Sequence, residues 1–451
     1  MVSNYSTTQR AWPNGPKGRW LTGNLTDFSG DPLGFLENCV REYGDFVPIR
    51  FFKKPVVIIN DTDDIEKLLT TEYRNFEKMK GYSNPFTGRL FGNGLLTSDG
   101  ETWVRQRRMA QPAFRRKRIS AYAPVIVDLA EEMLSRWKCG ETRSIHEDLT
   151  KLTGQVVIKA LFNTKVPPEV DALEDAFIDA LESMARKQTF LSMFRRFLPT
   201  PGVQRFGAVI DGLDTFVYRL IAERRASGKD EGDILSMLVE ARDDEGNRMS
   251  DQQLRDEMTT LLMAGLDTTV LSLSWACYLL ARHPDVADEL RDEIQAVLGE
   301  RRPQLEDLAS LKLTVAILKE AMRLYPPAWI MTREAVADCS IGGYPIARGT
   351  GIIFSQWLKH RDARVFDQPD QFNPSRWLEK PPRHKFAYFP FGGGPRLCIG
   401  NGFATMEAPL GLASICQKFR FECEPGYVVD PWPSITLQPK GGIHLKLRSV
   451  A

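Results

Sequence analysis

One cysteine of this chain lies in a stretch that is poor in side-chain bulk. Cys398 follows three consecutive glycines, a proline and an arginine in the sequence FPFGGGPRLCIGNGFA, residues 389–404. A helix is predicted to begin after it, and the free N–H groups of a helix start favour an anion. Because the thiolate is the reactive and metal-binding form of cysteine, and because glycine lets the backbone approach a ligand closely, the stretch predicts a thiolate site. A buried free cysteine beside a tight turn is the alternative.

The rest of the sequence excludes several other kinds of site. It has no Gly-Lys-Ser or Gly-Lys-Thr, so a phosphate-binding P-loop is absent. It has no Cys-x-x-Cys and no clustered cysteine and histidine that would hold tetrahedral zinc. A lone thiolate is sufficient where a macrocycle supplies the other ligands of a metal, as in haem.

The segment from Phe389 to Gly400, FPFGGGPRLCIG, resembles the haem-binding signature of the cytochrome P-450 monooxygenases. The resemblance implies that Cys398 is the axial thiolate ligand of a haem b iron and that Phe391 packs near its sulfur. It also makes Arg396 a candidate partner of a haem propionate. Thiolate ligation pushes electron density onto iron and favours cleavage of the O–O bond.

Two charged residues in the segment LKEAMRLYPP are three positions apart. Glu320 and Arg323 therefore share a helix face and can pair, and the pattern alone indicates an ordinary surface ion pair. The segment is similar to the K helix of the family, which implies a buried Glu-Arg-Arg network completed by Arg376. The surrounding FNPSRW departs from the family pattern at Ser375 and Trp377, but the arginine is present. The implied role is folding and assembly of the haem pocket.

The segment AGLDTT, residues 264–269, places polar groups inside an apolar helix. Small Ala264 leaves room for a flat group, and Thr268 can either act in chemistry or donate to a carbonyl one turn earlier. The segment resembles the oxygen-activation motif of the family. That match implies that Thr268 hydrogen-bonds the oxygen being activated and that Asp267 supplies protons from solvent, which is general acid work.

A basic segment, TWVRQRRMAQPAFRRKR, places Trp103 and Arg107 on one helix face. A solvated charged helix is the simpler interpretation. The pair is similar to the family's C-helix residues that bind a haem propionate, and Arg333 matches a further propionate arginine. The remaining cations would flank the cysteine side and steer an acidic electron donor; they are Arg105, Arg108, Arg115, Arg116 and Lys117.

The elements that position these residues can be predicted from periodicity. A long helix begins near Ser250 and Asp251 and ends before Pro284, and its apolar middle should cross the interior. The alternation of DFVPIRFFKKPVVIIND predicts a hairpin that turns around Lys53-Lys54-Pro55.

The fold expected from the resemblance is the cytochrome P-450 fold, mainly α, with a large helical body and a smaller β-rich part. We expect one haem domain over residues 1–451, with the helical body at about 62–335. The β-rich segments are at about 45–60 and 336–451. No fused reductase domain is expected.

Composition excludes several classes of partner. The 59 basic and 58 acidic residues give a net charge of +1, so nothing in the overall charge points to nucleic acid or an acidic surface as a partner. Seven scattered cysteines suit a reducing cytosol rather than a disulfide framework. No run of about 18 apolar residues is present, so we expect a cytoplasmic protein without an integral membrane anchor, and a monomer.

The predicted activity follows from the resemblance. It implies a monooxygenase that uses O2 to hydroxylate a C–H bond of a lipophilic substrate such as a terpenoid, a carotenoid or a fatty acid. By family position the pocket is lined by Ala264, Trp329, Ile330 and Met331, with a lid near residues 194–206. Electrons would come from a separate ferredoxin or flavodoxin with its NAD(P)H reductase.

Two rival functions stay open at this point. One is a peroxide-driven haem-thiolate peroxygenase, and the other is a non-enzymatic haem-binding sensor. The acid and hydroxyl at Asp267 and Thr268 argue against both. The histidines are not expected to bind the metal: His146 and His283 are predicted at the surface, and His360 is predicted to be structural.

Overall fold

The computed structural model describes residues 10–79, 85–165 and 201–450. These residues form two compact units. The smaller unit is made of residues 10–79, 329–369 and 382–397, and the larger unit of the described residues of 85–328, 370–381 and 398–450. The single domain over residues 1–451 therefore stays a prediction, and most of the predicted lid at 194–206 lies outside the described residues.

A five-stranded sheet organises the smaller unit. In the order of hydrogen-bonded neighbours its strands are Phe46–Phe51, Lys54–Ile59, Gly351–Phe354, Met331–Ala335 and Phe76–Glu77. The predicted hairpin is confirmed, because the first two strands pair antiparallel. Its turn comes slightly earlier than predicted, since Lys54 already pairs with Phe51 and Phe52 takes a φ of 53°.

The other elements of the smaller unit are short. They comprise the helices Leu25–Gly30, Pro32–Tyr43, Thr62–Leu69 and Gln356–Lys359, and the paired strands Cys339–Ile341 and Tyr344–Ile346. The helix Thr62–Leu69 begins where the Asp61 carboxylate accepts the N–H groups of Asp63 and Asp64, which satisfies donors that a helix start leaves free.

Helices dominate the larger unit. They are Pro85–Phe91, Gly100–Ala110, Arg116–Ile119, Ala123–Leu134, Ile145–Phe162, Pro201–Ser227, Ile234–Glu240, Asp251–Arg282, Pro284–Leu298, Lys312–Leu324, Arg376–Glu379 and Asn401–Lys418. We call Asp251–Arg282 the long helix and Asn401–Lys418 the cysteine helix.

The long helix follows its prediction. Ser250 caps it by accepting the N–H of Gln253 at 3.2 Å, and the helix ends at Arg282, before Pro284. Most of its side chains are buried against other helices of the larger unit, as expected of a helix that is apolar nearly all round. By length and mean hydropathy alone it also resembles a membrane span, but 78% of its most apolar window is buried inside the protein.

Two small sheets complete the larger unit. One has the order Thr142–Ser144, His444–Ser449, Phe419–Glu422, and the other pairs Pro431–Pro433 with Leu437–Pro439. The strand at Thr142–Ser144 was not predicted, because three residues are too short to show an alternating pattern. The hairpin 431–439 contacts the long helix and contributes to the site described next.

Candidate active site

Cys398 lies directly before the cysteine helix, and the local backbone is arranged to hold a charge on its sulfur. The N–H groups of Gly400 and Asn401 donate to the sulfur, and the Arg107 cation interacts with it. Burial raises the pKa of the Cys398 thiol above its usual value, while the two N–H groups and Arg107 lower it. The side chain is nevertheless accessible, which suits a ligand atom that borders open space.

Two of the glycines before Cys398 are needed for packing in the absence of any ligand. Gly394 has a φ of 64°, and a Cβ there would lie 1.8 Å from the Leu69 carbonyl oxygen. A Cβ on Gly393 would lie 2.3 Å from the Phe386 ring. Both glycines are therefore required for packing within the smaller unit itself, so their presence does not by itself demand a ligand.

The long helix is open to accessible space at one place. Ala264 is exposed, and Gly265, Asp267 and Thr268 are half-buried, within a helix whose neighbouring turns are buried. Gly265 is needed for helix packing, because a Cβ there would lie 3.0 Å from Val157. The opening leaves a small-residue surface against which a flat group can lie.

The Thr268 hydroxyl makes the hydrogen bond that the sequence left as an alternative. Its Oγ1 donates to the Ala264 carbonyl oxygen at 2.9 Å. A hydroxyl also has two lone pairs, so Thr268 can still accept a hydrogen bond in this position. To donate elsewhere it must turn away from Ala264, at a net cost of about 1 kcal/mol.

Asp267 is held by a residue that the sequence did not indicate. Gln438 Nε2, on the strand Leu437–Pro439, donates to Asp267 Oδ1 at 2.8 Å. The two residues are 171 positions apart, and no local motif marks Gln438 as a partner. Only the packing of the hairpin on the long helix identifies it.

Trp103 and Arg107 lie on the helix Gly100–Ala110 of the larger unit. Trp103 is buried, and Arg107 is half-buried. Burial lowers the pKa of Arg107, and its interaction with Cys398 raises it. The structure thus brings Arg107 and Cys398 close enough for their charges to interact.

The basic residues around this helix are less free than predicted. Arg105 Nε donates to Asp243 Oδ2 at 2.7 Å, and Arg108 pairs with Asp244. These two cations are partly compensated and are not spare charges. Arg115, Arg116 and Lys117 are exposed, so they are the better candidates for attracting an acidic partner.

The other residues predicted to contact the haem or the substrate belong to the smaller unit. Arg333 is buried, its Nη1 donates to the Thr332 carbonyl at 2.8 Å, and its guanidinium lies 5.9 Å from the centroid of the Phe354 ring. Trp329 is buried; Ile330, Met331, Phe391 and Arg396 are half-buried.

The charged residues of LKEAMRLYPP form a buried network in the larger unit. Glu320 and Arg323 are fully buried, with Arg323 Nε 2.9 Å from Glu320 Oε2. Arg376 Nε donates to Glu320 Oε1 at 2.9 Å. Trp377, the residue that departs from the family pattern, donates its indole N–H to Glu320 Oε2 at 2.9 Å. The departure therefore adds a donor to the network.

Two of the histidines are less exposed than predicted. His146 is half-buried, with Nδ1 3.3 Å from Ser274 Oγ, and burial lowers its pKa. His283 is half-buried beside the Phe372 ring. His283 precedes the helix Pro284–Leu298, as its sequence indicated, whereas His146 lies in the first turn of the helix Ile145–Phe162; both helix starts pack against the protein. The structural role of His360 is confirmed, because its buried Nε2 accepts the Phe389 N–H at 3.0 Å.

A buried acid, Glu407, was missed by the sequence reading. It lies on the cysteine helix, and its Oε2 accepts the Thr269 hydroxyl at 3.3 Å. Among the described residues its Oε1 has no hydrogen-bond partner. Burial raises the pKa of Glu407 to about 8, and the bond from Thr269 lowers it less. Glu407 is therefore mainly protonated in the folded protein at neutral pH.

We expect Glu407→Gln to stabilise the protein increasingly as pH rises. The folded state keeps the proton up to a pKa of about 8, whereas an exposed glutamate loses it near 4.5, so the parent loses stability between those values. The difference in free energy of unfolding between the variant and the parent should grow by about 3 kcal/mol between pH 5 and pH 7.5. Urea unfolding measures it, with exposed Glu424→Gln as the control; a pH-independent difference would contradict the assignment.

Comparison with known proteins agrees with these features. The family described as cytochrome P450 matches residues 13–446. Cyclooctatin synthase of Streptomyces melanosporofaciens is 34% identical over 429 residues, which cover 94% of this chain and 92% of that protein. Pentalenene oxygenase of Streptomyces avermitilis is 34% identical over 432 residues and 95% of each chain. The structure of retinoic acid-bound cyanobacterial CYP120A1 superposes with a TM-score of 0.85 at 25% identity, covering 97% of this chain and 99% of that one.

Proposed function

Because the chain belongs to the cytochrome P450 family and is a monooxygenase, we propose that Cys398 is the thiolate that holds its haem. The observation that carries the proposal is an accessible cysteine whose sulfur accepts two backbone N–H groups and interacts with the Arg107 cation. When bound, the haem supplies the activation of dioxygen. The protein must supply the ligand, the orientation of the substrate and the protons.

The surroundings of Cys398 fit a metal-bound thiolate. Burial keeps the proton on the free thiol, and binding of a metal releases such a proton from a cysteine ligand. The N–H groups of Gly400 and Asn401 would then stabilise the negative sulfur, since hydrogen bonds to an ionised acceptor are stronger than those to a neutral one. Phe391 would pack near the sulfur.

Cationic residues would hold the haem propionates. Arg107, Arg333 and Arg396 can each form a charged hydrogen bond with a carboxylate, and Trp103 can donate its indole N–H. The supporting observation is that Trp103 and Arg107 share one helix face and that Arg107 interacts with Cys398.

Thr268 and Asp267 would deliver protons during oxygen activation. The opening of the long helix at Ala264 gives a small ligand access to the Thr268 hydroxyl. Asp267 is half-buried one residue earlier and can exchange protons with solvent. Buried helix turns on either side of the opening would keep bulk water away, so protons would reach the site through these side chains.

Thr268→Ala should uncouple electron use from product formation. Without the hydroxyl, protonation is misdirected, so product per NAD(P)H should fall on the order of tenfold while hydrogen peroxide rises. The ratio of product to consumed cofactor measures the effect. Ser272→Ala is the matched control, because Ser272 Oγ makes the same kind of bond, to the Thr268 carbonyl, one turn further on. Unchanged coupling in Thr268→Ala would remove Thr268 from the relay.

We propose an isoprenoid as the substrate. Pentalenene oxygenase carries pentalenene in its name, and the solved structure contains retinoic acid; both molecules are isoprenoids. The proposed pocket lining is apolar, as a lipophilic ligand requires; it consists of Ala264, Trp329, Ile330 and Met331. Titration of the ferric protein with pentalenene, retinoic acid, a carotenoid and palmitate tests this proposal. A shift from low to high spin with palmitate alone would identify a fatty-acid enzyme instead.

The electron donor is proposed to be an acidic ferredoxin or flavodoxin with its NAD(P)H reductase. The exposed cations Arg115, Arg116 and Lys117 support this choice, because opposite charges steer association. Seven free cysteines fit action in the reducing cytoplasm, and we propose a monomer there. Turnover with hydrogen peroxide but not with either donor system would favour a peroxygenase.

A further inference from the structure

The partner of the Asp267 carboxylate is a neutral amide. Gln438 is buried, and its Nε2 donates to Asp267 Oδ1 at 2.8 Å and to Thr436 Oγ1 at 2.9 Å. A glutamine amide nitrogen carries two N–H groups, so these two bonds use both donors. A flipped amide would direct its oxygen at an acceptor-only carboxylate. The two partners therefore determine the orientation of the Gln438 side chain.

The strand that carries Gln438 is fixed through both backbone polar groups of Leu437, the residue before it. Leu437 N–H donates to the Pro327 carbonyl at 3.0 Å, and Trp275 Nε1 donates to the Leu437 carbonyl at 3.3 Å. Trp275 is fully buried and stacks on Tyr325 with ring centroids 3.9 Å apart. These contacts hold the backbone next to Gln438 in place beside the long helix. A residue that positions another group needs such support.

Among the described residues, no group that is mainly cationic at neutral pH pairs with the Asp267 carboxylate. His146, on the helix Ile145–Phe162, interacts electrostatically with Asp267 and with Glu147, but burial lowers its pKa. His146 is therefore mainly neutral at pH 7. Glu407, from the cysteine helix, faces Thr269 and is mainly protonated there. A hydrogen bond from a neutral amide holds a carboxylate less strongly than an ion pair does.

We propose that Gln438 is a positioning residue for proton delivery, and that it fixes one oxygen of Asp267 without neutralising the carboxylate. Fixed in this way, Asp267 keeps a constant place beside Thr268 and can still take up a proton and pass it on. The inference rests on the relay role of Asp267 in the proposed function. It adds a residue from the 431–439 hairpin to that relay.

Gln438→Leu tests the proposal, because leucine has a similar size and no donor. With pentalenene as the probe and a ferredoxin system as donor, we expect the fraction of NAD(P)H recovered as hydrogen peroxide to rise and kcat to fall on the order of tenfold. The dissociation constant of pentalenene, measured by the spin-state shift of the ferric protein, should stay unchanged. Gln417→Leu is the matched control, since Gln417 Nε2 also donates two bonds, to the carbonyls of Gly299 and Arg301.

The double variant with Asp267→Asn separates positioning from a general structural effect. If Gln438 acts through Asp267, Gln438→Leu should add nothing in the Asp267→Asn background, whereas independent effects would multiply. Infrared spectroscopy provides a measurement that does not depend on turnover. The carboxylate band of Asp267 is identified as the band that disappears in Asp267→Asn. This band should shift in Gln438→Leu and not in Gln417→Leu.

The outcomes distinguish the two assignments. If Asp267→Asn leaves rate and peroxide release intact, the relay role of Asp267 is wrong and the role of Gln438 fails with it. If Asp267→Asn impairs turnover but Gln438→Leu does not, or if the infrared band is unmoved, only the positioning role is overturned. Multiplicative effects in the double variant would also overturn it.

Discussion

Cys398→Ala is expected to abolish both the thiolate-type spectrum and the activity. In the parent, the reduced protein with carbon monoxide should show the strongly red-shifted Soret band of thiolate ligation. Alanine offers no ligand, and the N–H groups of Gly400 and Asn401 lose their acceptor. Product formation should fall to background, because activation of dioxygen depends on electron density from the sulfur.

A control variant distinguishes loss of the iron ligand from the loss of an exposed thiol that binds no metal. Cys139 is exposed like Cys398, and its Sγ accepts the Ser449 N–H at 3.3 Å. Cys139→Ala should keep the parent spectrum and rate. If Cys398→Ala, reloaded with haem, kept the red-shifted band and the product yield, the thiolate assignment would be wrong.

Glu320→Ala should cost about 3–5 kcal/mol of unfolding free energy, because it removes the carboxylate that pairs with two buried arginines. The Arg323 side chain is 0% exposed and that of Arg376 is 10% exposed. The indole N–H of Trp377 and the Asn373 N–H, which donates to Glu320 Oε1 at 2.9 Å, would lose their acceptor as well. Urea unfolding and the yield of haem-containing protein measure this loss.

An exposed ion pair provides the comparison for this prediction. Arg448 and Glu422 pair at 2.8 Å with both side chains about half exposed. Glu422→Ala should therefore cost less than about 1 kcal/mol. A Glu320→Ala variant within about 1 kcal/mol of the parent would show that the buried network does not stabilise the fold.

The network also explains how the larger unit holds a distant part of the chain. Arg323 Nη2 donates to the Gln371 carbonyl at 3.0 Å, and Asn373 N–H donates back to Glu320. The segment 370–381 is thereby tied to the helix Lys312–Leu324. Loss of Glu320 should loosen this segment first, because Asn373, Arg376 and Trp377 all donate to the Glu320 carboxylate and would lose their acceptor together.

The sequence alone was sufficient for features that depend on local pattern. The long helix was predicted with its cap and its end, because Ser250, the apolar periodicity and Pro284 each act within a few residues. The hairpin at residues 46–59 followed from alternation. Membership of the cytochrome P450 family followed from the residues around Cys398, and the comparisons confirm it.

The tertiary structure alone decided which groups surround the predicted residues. Gln438 reaches Asp267 across 171 positions, and Glu407 reaches Thr269 across 138. It also decided that Gly394 packs on the Leu69 carbonyl and that Arg105 is paired with Asp243. Hydrogen bonds and burial depend on distance in space, whereas periodicity and capping depend on distance along the chain. A sequence pattern can therefore identify a reactive residue without identifying the partners that set its charge and position.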